Sequence, residues 1–207
     1  MTRKPSLYSV HPSVVTARAV IDNLPAKTGR SLEGWIQLLR RDGPSDTAAR
    51  RAWLKDVCKL GGTTAWMIVD RAEGRGAEDT DPKAYLAAAA GYVEAMYSGP
   101  RAGLRPMHDA LLKGVRARHA DVKVCPCQTI VPLYRTHVIA QIKPATKTRL
   151  DFGLALKGAR GKLPRRLVPT GGLEKGDRIT HRIELTSPQQ IDDELWKWFE
   201  VAHDLDG

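Results

Sequence analysis

Three cysteines in a chain of 207 residues are too few, and odd in number, for a disulfide framework. A reducing compartment suits them better. Phenylalanine occurs twice, and the longest apolar stretches, Tyr85 to Ala90 and Ile130 to Leu133, fall far short of the roughly 20 residues that a membrane-spanning helix needs. The opening Met-Thr-Arg-Lys-Pro leads into polar residues, with none of the apolar core of a signal peptide. A cytoplasmic location and no membrane partner are therefore expected. Also missing are the G-x-S-x-G nucleophile elbow, the H-E-x-x-H zinc helix and the phosphate-binding P-loop. No cofactor follows from any motif, and enzyme activity is not indicated.

Positive charge is plentiful. The formal net charge is +10, and it is unevenly spread. Residues 1–98 carry 14 Lys and Arg against 11 Asp and Glu, residues 99–182 carry 18 against 5, and residues 183–207 carry 1 against 7. The positive field thus belongs to the middle of the C-terminal half, and it predicts attraction to polyanions, anionic metabolites or acidic protein surfaces. A hydrophobic share of 42% beside a charged share of 27% is ordinary for globular chains and argues against disorder.

Helical spacing dominates the first half. Val14, Val15, Ala17, Val20, Ile21 and Leu24 mark a helix from His11 to Leu24, with Pro12 at its first turn. Ser31 caps a second helix through Leu32, Trp35, Ile36 and Leu39, ended at Asp42-Gly43-Pro44, and Asp46 caps a third that stops at Gly61-Gly62. A fourth starts at Thr63 or Thr64 and runs through Val69. Asp81-Pro82 opens an alanine-rich helix from Lys83 to Tyr97, which Ser98-Gly99-Pro100 breaks. That break sets the expected boundary between a helical domain, residues 1–98, and a second domain, residues 99–207.

After a basic helix from Leu104 to Arg118 the period changes. Val122 and Val124, Ile130 to Tyr134, Val138 to Ile142, Leu150 to Leu156 and Ile179 to Leu185 read as four or five strands. Lys157 to Arg178 reads as one long loop rich in Gly, Lys and Arg. Ser187-Pro188-Gln189-Gln190 is a capping box expected to open a last helix to His203. The fold class is α+β: an all-helical N-terminal bundle, then a small antiparallel-sheet domain flanked by helices.

Pro25 to Trp35, with Arg51-Ala52-Trp53-Leu54-Lys55 and Leu60-Gly61, resembles an uncharacterised bacterial helical domain of unknown function. Ile142 to Leu154, with Thr180-His181-Arg182-Ile183 and the closing helix, resembles a second such domain that often follows the first. The resemblance implies the two-domain arrangement and a small α+β fold at the C-terminus; it carries no reaction and no catalytic residue.

Alternation along a strand puts Gln141 with Lys143, and Arg149 with Asp151, on one face. If Arg135, His137, Gln141, Lys143, Arg149, Asp151 and His181 lie on neighbouring strands, they form one polar, mostly cationic surface, with Thr146, Lys147 and Arg182 beside it, suited to phosphate or carboxylate. The competing possibility is a solvated sheet face on which Asp151 neutralises Arg149 or Lys143. Gln141-Ile142-Lys143 has the outline of a nuclease acid-x-Lys strand, but Gln stands where the metal-holding carboxylate is required. Cys125-Pro126-Cys127 is tighter than a zinc C-x-x-C and would need His137 and His181 nearby to hold a metal. His108, His119 and His203 each read as surface or capping residues. A helix-turn-helix at Gly61-Gly62 lacks basic or amide residues between Thr63 and Val69 for reading bases, so Trp35, Trp53 and Trp66 are expected to pack. The resulting expectation is a binding or regulatory protein that engages an anionic ligand through its basic C-terminal half, nucleic acid ahead of a small metabolite. The alternatives are a pocket for a phosphate or carboxylate compound, with or without catalysis, and a protein-interaction module.

Overall fold

The computed structural model describes residues 7–207 and divides them into two compact units, residues 10–88 and residues 7–9 with 89–207. The division falls inside the alanine-rich helix, ahead of the Ser98-Gly99-Pro100 break.

Five helices build the first unit before the alanine-rich one begins: α1 (Pro12–Asp22), α2 (Leu24–Thr28), α3 (Leu32–Asp42), α4 (Thr47–Asp56) and α5 (Gly62–Ala72). The helix expected over His11 to Leu24 is cut at Asn23, because Pro25 has no amide hydrogen to continue the ladder and restarts the chain as α2. Ser31 and Asp46 cap as their positions suggest, accepting from the amides of Gly34 and Ala49 at 3.2 and 2.9 Å. Leu39, Leu54, Ala65, Ile68 and Val69 are fully buried in one cluster with Trp35 and Ile36. The indole of Trp35 donates to Thr28 Oγ1 at 2.8 Å, so its polar edge is satisfied where the ring packs.

Helix α6 (Pro82–Met96) leads to a 3-10 turn, Gly99–Leu104, and to α7 (Arg105–Arg118). Six strands follow, β1 (Lys123–Val124), β2 (Val131–Tyr134), β3 (Val138–Pro144), β4 (Leu150–Leu154), β5 (Val168–Pro169) and β6 (His181–Leu185), in the antiparallel order β1-β2-β3-β4-β6-β5. β5 and a one-turn helix α8 (Gly172–Lys175) lie inside the segment expected to be a plain loop. Neither a two-residue strand nor a one-turn helix leaves a periodic signature.

Register fixes the two faces of the sheet. Ile142, Phe152 and Ile183 are cross-strand neighbours, as are Pro144, Leu150 and Leu185, and all six are buried. Helix α9 (Asp193–Asp204) covers this face: Phe152 meets Trp196 and Phe199 at ring separations of 6.5 and 5.9 Å. Helix α7 packs against α9 through Gly114, where a Cβ would lie 2.2 Å from the Trp196 ring. A glycine here costs helix stability but lets the indole approach the backbone. The Ser187 capping box is present, yet it opens only a 3-10 turn, Pro188–Gln190; α9 starts later and is capped by Asp192. Among the described residues no helix is long and apolar enough to cross a membrane.

Candidate ligand-binding cleft on the open face of the sheet

The opposite face of β3, β4 and β6 is polar. Lys143, Asp151 and Glu184 form one cross-strand row, and Gln141, Gly153 and Arg182 the next. Asp151 and Glu184 are directly opposite, a repulsive arrangement in isolation. Two arginines relieve it: Arg149 lies 2.9 Å from Asp151 and 3.2 Å from Glu184, and Arg182 lies 3.4 and 2.8 Å from the same pair. The contact between Arg149 Nε and Asp151 Oδ1 is close but not aligned as a hydrogen bond, so both atoms are buried without one. Burial raises the Asp151 carboxyl above the ordinary carboxylate range, with Glu184 adding to the effect and Arg149 and Arg182 opposing it.

Over this face stands a cleft of about 470 Å³, within the roughly 300–1,000 Å³ usual for small-molecule sites. The sheet supplies Gln141, Lys143, Asp151, Gly153 and Arg182, and the segment around α8 supplies Thr170, Gly172, Asp177, Arg178 and Ile179. That wall is held shut on itself. The Thr170 hydroxyl donates to the Ile179 carbonyl at 2.7 Å and the Asp177 amide donates to the Gly172 carbonyl at 2.8 Å. Gly153 and Gly172 allow the close approach: a Cβ on Gly153 would lie 2.7 Å from Ile179 Cγ2, and one on Gly172 would lie 2.2 Å from the Ile179 carbonyl oxygen.

Of the residues singled out from the sequence, Gln141, Lys143, Arg149, Asp151 and Arg182 come together on this face. The others do not. Arg135 and His137 sit at the β2–β3 turn and are tied to the end of α9 and the residues after it, and to the turn before β1: Arg135 donates to the His203 carbonyl at 3.2 Å and pairs with Asp121 at 3.3 Å, while His137 Nδ1 meets Asp206 at 2.9 Å. Thr146 and Lys147 are exposed in the β3–β4 turn, where the Thr146 hydroxyl accepts from the Thr148 amide. His181 is paired with Leu154 and so belongs to the face that α9 covers; its ring contacts the Thr180 hydroxyl at 2.9 Å. The single cationic surface expected of all these residues is thus corrected to a mixed-charge face, because the carboxylates of the same strands neutralise its arginines. Thr170, Asp177, Arg178 and Glu184 were missed. The only trace of the first three is Thr170-Gly171-Gly172 inside the basic loop.

Asp206 closes the far end of the sheet. Its carboxylate is only 2% exposed and accepts from the amides of Thr136 and His137, from the His137 ring, and from Arg178 at 2.6 Å. Burial opposes its ionisation, but the hydrogen bonds from His137 and the charge of Arg178 outweigh that and hold it below the usual range. Arg178 therefore joins this clamp to the cleft it lines.

The cysteine pair has no reactive setting. Cys125 is buried, and burial pushes its thiol up to about 12. His137 is engaged with Asp206 and His181 lies on the other face, so the tight cysteine pair and these histidines gain no support as a metal site. In the first unit Trp66 is partly exposed in an apolar groove with Val20 and Met67, whereas Trp35 is buried.

An α+β protein whose antiparallel sheet has one face sealed by helices and the other open under a polar cleft is the class these features define. Residues 93–206 match the family described as "Domain of unknown function (DUF5655)" and residues 16–74 match "Domain of unknown function (DUF4287)". The first covers more than half of the chain, so the protein belongs to that family. No curated protein and no solved structure matches it.

Proposed function

We propose that the protein binds a small molecule bearing a carboxylate or phosphate group in the cleft over β3, β4 and β6. The observation that carries this reading is the convergence of Lys143, Arg178 and Arg182 with hydrogen-bonding Gln141 and Thr170 around one concavity of ligand size. An anionic group suits the three cations. Asp151 and Asp177 line the same space and suit donors elsewhere on the ligand, so a compound with both an acidic group and hydroxyl or amino groups fits better than a bare ion.

Polyanion binding is the second reading. Lys157, Arg160, Lys162, Arg165 and Lys175 are exposed along the segment that leads to the cleft, a dispersed pattern that suits a phosphate backbone. Asp151, Asp177 and Glu184, standing among the cations, would repel a phosphate backbone laid across the sheet face and weigh against it as that surface.

Thermal unfolding of the full chain with inorganic pyrophosphate and with a panel of hydroxy- and amino-dicarboxylates tests the proposal. A saturable rise in Tm, lost in Arg182→Gln and in Lys143→Ala, is expected. No rise with any compound, together with salt-sensitive DNA or RNA binding, would replace the first reading by the second.

A further inference from the structure

A second cluster of chemistry-bearing side chains lies apart from the cleft, where the C-terminal ends of α7 and α9 meet. His119 is the residue that ends α7, Asp121 follows it in the turn before β1, and His203 is in the last turn of α9. One donor atom from each of the three lies within 4.8 Å of the other two. The Asp121 carboxylate faces both rings, 4.0 Å from His119 Nδ1 and 3.3 Å from His203 Nε2. Two donors about 2.1 Å from one ion are at most about 4.2 Å apart, so each Asp121 oxygen lies within coordination reach of its own ring, Oδ1 of His119 and Oδ2 of His203, and the set of three closes on one ion only with some side-chain movement.

The surroundings are those of ligating histidines. His119 Nε2, the nitrogen turned away from Asp121, contacts Glu200 at 2.5 Å, and His203 Nδ1 is 3.5 Å from Asp204. The Glu200 carboxylate on the outer nitrogen of His119 fixes that ring's tautomer and leaves its inner nitrogen's lone pair for a metal, whereas His203 Nε2 faces Asp121 at hydrogen-bond distance and takes the ion in place of that proton. Both helix C-termini add negative partial charge. We propose that His119, Asp121 and His203 bind a divalent d-block cation, zinc by its preference for mixed imidazole and carboxylate ligands, with Glu200 as a positioning residue. The two rings are stacked, with centroids 3.7 Å apart. Since imidazole lone pairs lie in the ring plane, binding requires one ring to swing so that both point at the ion. Arg135, 3.3 Å from Asp121, competes with the ion for that carboxylate. Three protein ligands and a competing guanidinium make an exchangeable site with a coordination position left for water, unlike a closed structural zinc.

Titration of the full chain with Zn²⁺ by calorimetry, and with Co²⁺ by visible absorption, tests this. One ion per chain is expected, with a cobalt spectrum of nitrogen and oxygen ligands and no thiolate charge-transfer band. Asp121→Asn and His119→Gln should weaken binding by more than about 100-fold, and Glu200→Gln by about 10- to 100-fold, with circular dichroism unchanged. Cys127→Ser should bind as the parent does. The proposal is overturned by the absence of stoichiometric binding, by Asp121→Asn binding with parental affinity, or by loss of binding in Cys127→Ser.

Discussion

The cleft and the Asp206 clamp occupy the same sheet and draw on the same residue types, yet they treat charge in opposite ways. In the clamp a buried carboxylate collects four donors from the β2–β3 turn and Arg178. On the sheet face beneath the cleft two carboxylates stand directly opposite each other, Asp151 lining the cleft and Glu184 beside it, bridged by arginines whose contacts are shared and partly misaligned. The clamp is satisfied, as expected of a group that holds the chain end in place. The sheet face retains two buried polar atoms without a hydrogen bond, Arg149 Nε and Asp151 Oδ1, and unsatisfied groups of this kind gather at functional sites.

Removing the centre of each cluster should separate them most clearly. Asp206→Ala is expected to destabilise the second unit by about 2–4 kcal/mol, since several charge-assisted hydrogen bonds vanish, with a discount for the exposure of His137 and Arg178; urea unfolding measures it. In the cleft, Gly153→Ala should cost about 1–3 kcal/mol, because its Cβ would press on Ile179 and Gln141. It should also lower any affinity for ligand by displacing the Gln141 side chain. A loss from Asp206→Ala no larger than that from a surface substitution would erase the contrast.

Acid should act on the two carboxylates with opposite sign. Asp206 has a depressed folded-state pKa, so its contribution is present above the unfolded value of about 3.9 and is lost as pH falls through the folded one. Asp151 has a raised folded-state pKa, so between the unfolded and folded values the folded chain binds more protons, and acidification favours it. Stability measured from pH 7 down to pH 3 should therefore fall less steeply in Asp206→Asn than in the parent and more steeply in Asp151→Asn. His108, fully buried, has its ring pKa lowered by burial, and adds a loss of stability as pH drops below about 6.5. The smallest effect belongs to Arg182→Gln: within about 1 kcal/mol on stability, as for other partly exposed ion pairs, while ligand-induced stabilisation disappears.

Much of the architecture was legible because it rests on local signals. Capping residues Ser31, Asp46 and Asp81 and the alternation along β3 and β4 place the starts of their elements within a residue or two of where they lie, although the helix capped by Asp46 ends at Asp56, short of the Gly61-Gly62 expected to stop it. The candidate site was legible by half. Strand alternation places Gln141 with Lys143 and Arg149 with Asp151, but alternation says nothing of which strands are neighbours or of where β6 pairs. Register alone puts Arg182 in the cleft and sends His181 to the covered face. His119, Asp121 and His203 were opaque for a similar reason. They are separated by up to 84 positions in the chain, and only the meeting of two helix ends brings them together.

The central claim is that the cleft, and not the basic loop beside it, takes the ligand. Titration of the ¹⁵N-labelled chain with pyrophosphate and with a hydroxy-dicarboxylate, followed by amide and side-chain NMR signals, tests it most directly. Saturable shifts at Gln141, Lys143, Gly153 and Arg182, with the signals of Lys157 to Arg165 unmoved and the response abolished in Arg182→Gln, are predicted. Shifts confined to the Lys157 to Arg165 segment and erased by moderate salt, or no shifts at all, would contradict it.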